Sequence, residues 1–273
     1  MTVEGGRTFS TAPSAIKACC AAGYQSDLVA LILGESYHPG GTALTRRLAE
    51  AVDLAPGQDA LDVASGPGST AMLLAREYGV SAVGVDLGVT AVEAANARAG
   101  EAGVHGSGPG LVRFVVGDAE RLPLPDASVD VVVSECALCT FPDKEAAARE
   151  MARVLRPGGR IGITDVVVDP ERLDPELADL AGWIACLADA RPVDGYRDIL
   201  TSAGFDTRVV ERHDQALLAM IDMIDARIRA LAMAGAAALA DVDLTGVRRR
   251  ISAARRAVDD GSAGYALMVA VRP

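Results

Sequence analysis

From Asp59 onward the chain alternates two kinds of segment. Short, nearly continuous apolar runs occupy 60–64, 82–86, 112–117, 129–135 and 160–166, most of them bounded by Gly, Pro or Asp. Between them, 69–77, 91–102, 144–154 and 173–190 carry apolar residues at helical spacing. Continuous apolar strands separated by helices predict a parallel sheet buried on both faces, hence an α/β fold.

The flanks read differently. Residues 1–57 show no strand pattern; helices are expected over 15–33 and 42–52, joined by a loop at 36–41, with a turn at Pro56-Gly57. This segment reads as an N-terminal helical cap, and 58–273 as the main domain. Its later part predicts a helix over 193–204, a strand over 207–211, an alanine-rich helical stretch over 216–240, a helix over 244–258 and a closing strand over 265–271. The helical segment 215–260 thus stands as an insert before the last strand. No repeats are visible, and 106–110 is a flexible connector.

Half the residues are hydrophobic but only 4% are aromatic, so the core should be aliphatic and closely packed. The net charge of −11 argues against a nucleic-acid partner. The one basic cluster, Arg248, Arg249, Arg250, Arg255 and Arg256, lies in a helical pattern ahead of Asp259 and Asp260 and reads as a solvated helix face. No apolar run reaches roughly 18 residues, so no membrane span is expected. Residues 1–10 lack an apolar leader, and a cytoplasmic location is the expectation. There the five cysteines would stay reduced and act as ligands, nucleophiles or core residues.

The run Leu61-Asp62-Val63-Ala64-Ser65-Gly66-Pro67-Gly68-Ser69-Thr70 leaves a strand and opens a helix. Its glycines permit a tight turn and close approach of backbone to a ligand, and the helix start offers unpaired N–H groups. Asp86 ends the next strand and can accept from both hydroxyls of a ribose, which also suits a dinucleotide. The third glycine of the dinucleotide fingerprint is absent, however, and Asp62 beside the loop suits a cationic amino-acid moiety better than a diphosphate. Strand three ends in Gly117-Asp118-Ala119-Glu120, where Asp118 is placed to accept from an adenine amino group. A Leu122-Pro-Leu-Pro125-Asp126 turn and an Arg156-Pro-Gly-Gly159 helix stop complete the set.

Over about residues 58–166 this set resembles the class I S-adenosylmethionine-dependent methyltransferases. The resemblance implies a Rossmann-like, seven-stranded, mostly parallel sheet with helices on both faces and its last two strands reversed; 207–211 and 265–271 fit those strands. It also implies S-adenosyl-L-methionine as cofactor. The Gly66–Gly68 loop would hold the methionine part, Asp86 the ribose and Asp118 with Ala119 the adenine. The implied cofactor set is Asp62, Ala64, Gly66, Gly68, Asp86, Leu87, Asp118, Ala119 and Glu135.

The cysteines sharpen this. Cys136 and Cys139 follow strand four in Ser134-Glu-Cys136-Ala-Leu-Cys139-Thr-Phe-Pro-Asp-Lys144, where ligands gather in parallel sheets. Cys186 lies after strand five, and Cys19 and Cys20 in the cap. Thiolates favour soft centres. The Ser-x-Cys…Pro-Asp-Lys run with Cys186 and Cys19-Cys20 resembles the arsenite methyltransferase branch, which implies Cys136 and Cys186 as ligands of substrate arsenic(III), assisted by the N-terminal pair. Cys139 is extra to that pattern, and no glycine follows Cys186 directly. Core cysteines around an organic small-molecule acceptor, with His38 as base, remain open, as do a zinc site at Cys136–Cys139 and a non-catalytic thiol-rich metalloid sensor. Asp165, at the end of strand five, either orients substrate or caps the following segment.

Overall fold

The computed structural model describes residues 17, 27–34, 37–177, 189–236, 239 and 242–273. Two helices precede the sheet: α1 (Asp27–Leu33) and α2 (Gly41–Ala51). Then follow β1 (Asp59–Val63), α3 (Ser69–Tyr78), β2 (Ser81–Asp86), α4 (Val89–Glu101), β3 (Val112–Val116) and β4 (Val129–Glu135). A 3₁₀ turn at Leu138–Thr140 leads to α5 (Lys144–Val154), which runs straight into β5 (Leu155–Val168). After a second 3₁₀ turn at Pro175–Leu177 come α6 (Val193–Ser202), β6 (Asp206–Arg212), α7 (Asp214–Met233), α8 (Leu244–Asp259) and β7 (Ala263–Val271).

The seven strands form one sheet in the order β3-β2-β1-β4-β5-β7-β6. The first five pair in parallel, and β7 lies antiparallel between β5 and β6. This is the Rossmann-like, mostly parallel sheet expected. Strand periodicity sorts the core into two layers. Ala60, Val131, Val133, Tyr265, Leu267 and Val269 pack with α2, α3, α4, α7 and α8. Their sequence neighbours Leu61, Val132, Ala266 and Met268 pack with α5 and α6. Both faces of the sheet are therefore covered, as the unbroken apolar strands require.

Most expected elements are found with small shifts at their ends, and two differ in extent. β5 begins at Leu155, because Gly158 and Gly159, read as a turn ahead of the strand, are carried inside it as an irregularity in its pairing with β4. The helix expected from residue 173 does not start there. Leu173 lies in a bend, Asp174 turns back through its side chain to the Glu176 amide, and Pro175–Leu177 is a 3₁₀ turn. The rest of that expected helix, 178–188, lies outside the described residues, as does most of the one at 15–33.

The helical segment between β6 and β7 braces the N-terminal cap. Arg227 of α7 donates to the Ile32 carbonyl near the carboxyl end of α1 at 2.6 Å, where a cation also meets the negative end of the helix dipole. On α8, Arg255 pairs with Asp222 and Asp225, Arg256 with Asp174 and Arg249 with Glu176. Much of the basic cluster is thus neutralised locally. Leu48 of α2 and Val52 just after it lie against Gly162 of β5, which packs the cap onto the sheet. No helix among the described residues is long and apolar enough to cross a membrane.

Candidate active site

A cavity of about 440 Å³ opens at the carboxyl ends of β1, β2, β3 and β4, within the size range of small-molecule sites. Two non-glycine residues just past these strands adopt left-handed backbone and line it: Ala64 (φ 60°) after β1 and Cys136 (φ 54°) after β4. Such strain persists only where the surroundings enforce it. The Ser65 amide is held by the Val85 carbonyl, and the Cys136 amide by the Thr164 carbonyl, so neighbouring strands fix both bends.

The two loop glycines have separate reasons. Gly66 (φ 49°) lines the cavity, and a Cβ there would meet open space, so its bare backbone faces whatever fills the cavity. Gly68 does not line it. With φ 84° it starts α3, and a Cβ would come within 2.5 Å of the Phe114 ring, so it serves close packing of the loop against β3.

Carboxylates line the cavity from one end to the other. Asp86 accepts from the Gly66 amide on one oxygen and from the Gly88 amide on the other, both at 2.8 Å. Burial raises its pKa, with those amides opposing. Asp118 accepts from the Glu120 amide and from Lys17, whose ammonium lies 2.7 Å from Asp118 and 2.6 Å from Glu120. Burial pushes the Asp118 carboxyl up, but the Lys17 and Glu120 hydrogen bonds outweigh it and the net direction is down. Leu87 and Ala119 line the same end.

At the other end Asp62 is only 3% exposed and accepts from the Ala71 amide at 3.2 Å. Its carboxyl sits well above the usual range, through burial first and then the charges of Glu135 and Asp86. Glu135 is the best-held acid: one oxygen accepts from Thr70 at 2.7 Å and Thr45 at 2.9 Å, with His38 Nε2 at 3.4 Å. Its second oxygen accepts from Thr164 at 3.3 Å, and Thr164 in turn accepts from Tyr265 at 3.1 Å. Burial first, then the nearby Cys136, Asp165 and Glu135, hold the Tyr265 hydroxyl well above its ordinary range.

The raised Asp62 value has a testable sign. The unfolded chain ionises this carboxyl near pH 4 while burial in the folded, ligand-free chain opposes its ionisation, so a folding penalty grows as pH rises above that value. Asp62→Asn should therefore raise the melting temperature of ligand-free protein at pH 7.5, and by a smaller margin at pH 4.5. Equal margins at the two pH values would refute the argument.

The cysteines separate. Cys136 lines the cavity between Glu135 and Ala137. Cys139 is buried in the core and is not among the residues that line it. Its amide donates to the fully buried Asp165, so that acid fixes the turn after β4 and is not presented to a substrate. Cys19, Cys20 and Cys186 lie outside the described residues. Among the described residues no group of three or more His, Cys, Asp or Glu is placed to hold a metal ion. His38 lines the cavity, with Nδ1 3.2 Å from the Pro39 carbonyl. Sequence reasoning missed Lys17, Thr45, Thr164 and Tyr265. Thr70, in the first turn after the glycine loop, carried the one positional signal.

The cavity's contents suit S-adenosylmethionine: a bare Gly66 backbone, an amide-held acid for a diol, and a second group of acids for cationic centres. Residues 61–163 match the model of the methyltransferase domain family, and the sheet has the fold of a solved methyltransferase bound to S-adenosyl-L-methionine. The chain is 35% identical over 169 residues to methyltransferase GfsG of Streptomyces halstedii, covering 61% of this chain and 59% of that protein. It is 33% identical over 165 residues to an arsenite methyltransferase of Halobacterium salinarum, covering 60% of this chain and 41% of that protein. It superposes on phosphoethanolamine N-methyltransferase 2 of Haemonchus contortus in complex with S-adenosyl-L-methionine with a TM-score of 0.71 at 21% identity, covering 98% of this chain and 58% of that one. The chain thus spans about half the length of these curated relatives.

Proposed function

We propose that the protein is an S-adenosylmethionine-dependent methyltransferase whose acceptor is arsenic(III) held by thiolates, with Cys136 as the thiolate on the cavity wall. The observation that carries this reading is the position of Cys136: directly after β4, in a strained bend, beside Glu135 and lining the cavity that Asp62, Asp86 and Asp118 also line. The likeness to the Halobacterium arsenite methyltransferase supports the choice of acceptor. When bound, the cofactor supplies a methyl group on a sulfonium. Asp86 holds the ribose, Asp118 and Ala119 the adenine edge, and Asp62 with the Gly66 backbone the amino-acid end. Cys136 displaces hydroxide from arsenic(III) and orients its lone pair; that centre carries no proton, so no base is needed, and positioning does most of the work. A second thiolate completes the ligand set, with Cys186, Cys19 and Cys20 as the thiols to test.

Cys136→Ser is expected to lower both arsenite binding and arsenite methylation at least tenfold, because a serine hydroxyl is a hard, protonated ligand at neutral pH. Arsenite titration with a count of remaining thiols, and mass spectrometry of methylated products, read the two quantities. Unchanged methylation would remove arsenic(III) as acceptor. One observation favours a second reading, an organic small molecule with His38 as base: its Nε2 reaches Glu135 within the same cavity. Methylation of an organic acceptor that survives loss of all five thiols and falls with His38→Ala would establish that reading.

A further inference from the structure

The acids of the cavity are not equally matched by cations. Asp118 and Glu120 share Lys17 at 2.7 and 2.6 Å. Asp62 and Glu135 line the same cavity with no Lys or Arg paired to them among the described residues. Glu135 is 3% exposed by side chain, yet its donors are the neutral hydroxyls of Thr70 from α3, Thr45 from α2 and Thr164 from β5. Hydroxyls orient a carboxylate and stabilise its charge without cancelling it. The other ionisable groups facing it are His38 from the segment before α2, Asp62 from β1, Tyr265 from β7 behind Thr164, and the adjoining Cys136. A buried carboxyl group, rigidly held by three hydroxyls, thus stands next to Cys136 on the cavity wall.

Resting on the reading of this cavity as an S-adenosylmethionine site, we propose that Glu135 is a specificity-determining residue that makes the site prefer the sulfonium cofactor to its demethylated product. The two ligands share adenine, ribose, carboxylate and ammonium, so Asp86, Asp118 and Asp62 meet both alike. They differ by one positive charge at the sulfur. An anion senses that charge the more strongly the nearer it lies, and in this reading Glu135, adjoining Cys136, is the acid nearest the methyl end. Because the Glu135 side chain is buried, such an attraction is less screened than one at the surface. The preference has a use in turnover: once the methyl has left, the product loses this attraction and is released more readily.

Calorimetry of the full chain with S-adenosylmethionine, S-adenosylhomocysteine and sinefungin, which carries an ammonium-bearing carbon in place of the sulfonium, tests this. The wild type should bind the two cationic ligands more tightly than S-adenosylhomocysteine. Glu135→Gln, which keeps the shape and removes the charge, should weaken both about tenfold and leave S-adenosylhomocysteine within about twofold. Glu135→Asp should keep most of the preference. Equal losses for all three ligands, or none, would overturn the proposal. So would a wild type that binds S-adenosylhomocysteine as tightly as S-adenosylmethionine, a measurement that needs no variant to fold. In those cases binding persists and only the role of Glu135 falls. Binding of none of the three ligands by the wild type would overturn the cofactor reading and this proposal together.

Discussion

Alanine in place of Asp86 is expected to weaken S-adenosylmethionine binding about a hundredfold while the protein stays folded. Two losses add. The carboxylate takes the Gly66 amide on one oxygen and the Gly88 amide on the other, which ties the glycine loop to the end of β2. It also keeps acceptor capacity for the two hydroxyls of a ribose, since an ionised carboxylate has about four lone-pair sites. Hydrogen bonds to a charged acceptor contribute roughly 1.5–3 kcal/mol each, and 1.4 kcal/mol is a factor of ten in affinity. Losing a ribose contact and the preorganised loop together thus gives about 3 kcal/mol. Calorimetric titration checks this, with circular dichroism as the control for folding. A loss below fivefold would show that the ribose is held elsewhere. Asp86→Asn, which keeps an acceptor oxygen, should fall between the two.

The second large effect is on stability. Lys144 begins α5 with only 2% of its surface exposed, and its ammonium donates to Asp189 and to the Phe141 carbonyl at 3.0 Å. Phe141 and Pro142 line the cavity, so this buried cation pins the cavity wall to Asp189. Removing one partner of a buried pair costs roughly 3–5 kcal/mol when the other charge is stranded. Asp189 keeps Arg191 at 2.9 Å, so the lower part of the range applies. Lys144→Met should cost about 2–3 kcal/mol, a drop in melting temperature of roughly 5–10 °C. A drop under about 2 °C in a thermal melt would show the pair to be energetically idle.

The parallel half of the sheet was legible because its strands are apolar on both faces and the helices between them carry a different period. The gathering of the candidate site residues at one cavity was legible for a related reason. Asp86, Asp118 and the Gly66 turn sit at strand ends, where chain order alone brings them to one edge. The residues around Glu135 were not legible. Thr45, Thr164 and Tyr265 come from the cap, from β5 and from the antiparallel β7, and nothing local marks a buried hydroxyl as a donor to a distant carboxylate. Lys17 is a single cation whose two partners lie about a hundred residues away. Gly68 and Cys139 show how one motif serves two ends. Both stand in motifs that read as ligand contacts, and both pack closely, against Phe114 and within the core.

The place of β7 in the sheet orders the assembly of the molecule. β6 touches the rest of the sheet only through β7, and β7 pairs with β5 across about a hundred residues of sequence. Until residues 263–271 have docked, β5 is left with an open edge and β6 has no sheet to join. Closure depends on a long-range loop whose entropy must be met before any pairing rewards it, a topology expected to slow folding. During that wait the exposed edge of β5, the strand that carries Thr164 and later borders the cavity, is the surface on which two half-folded chains would meet.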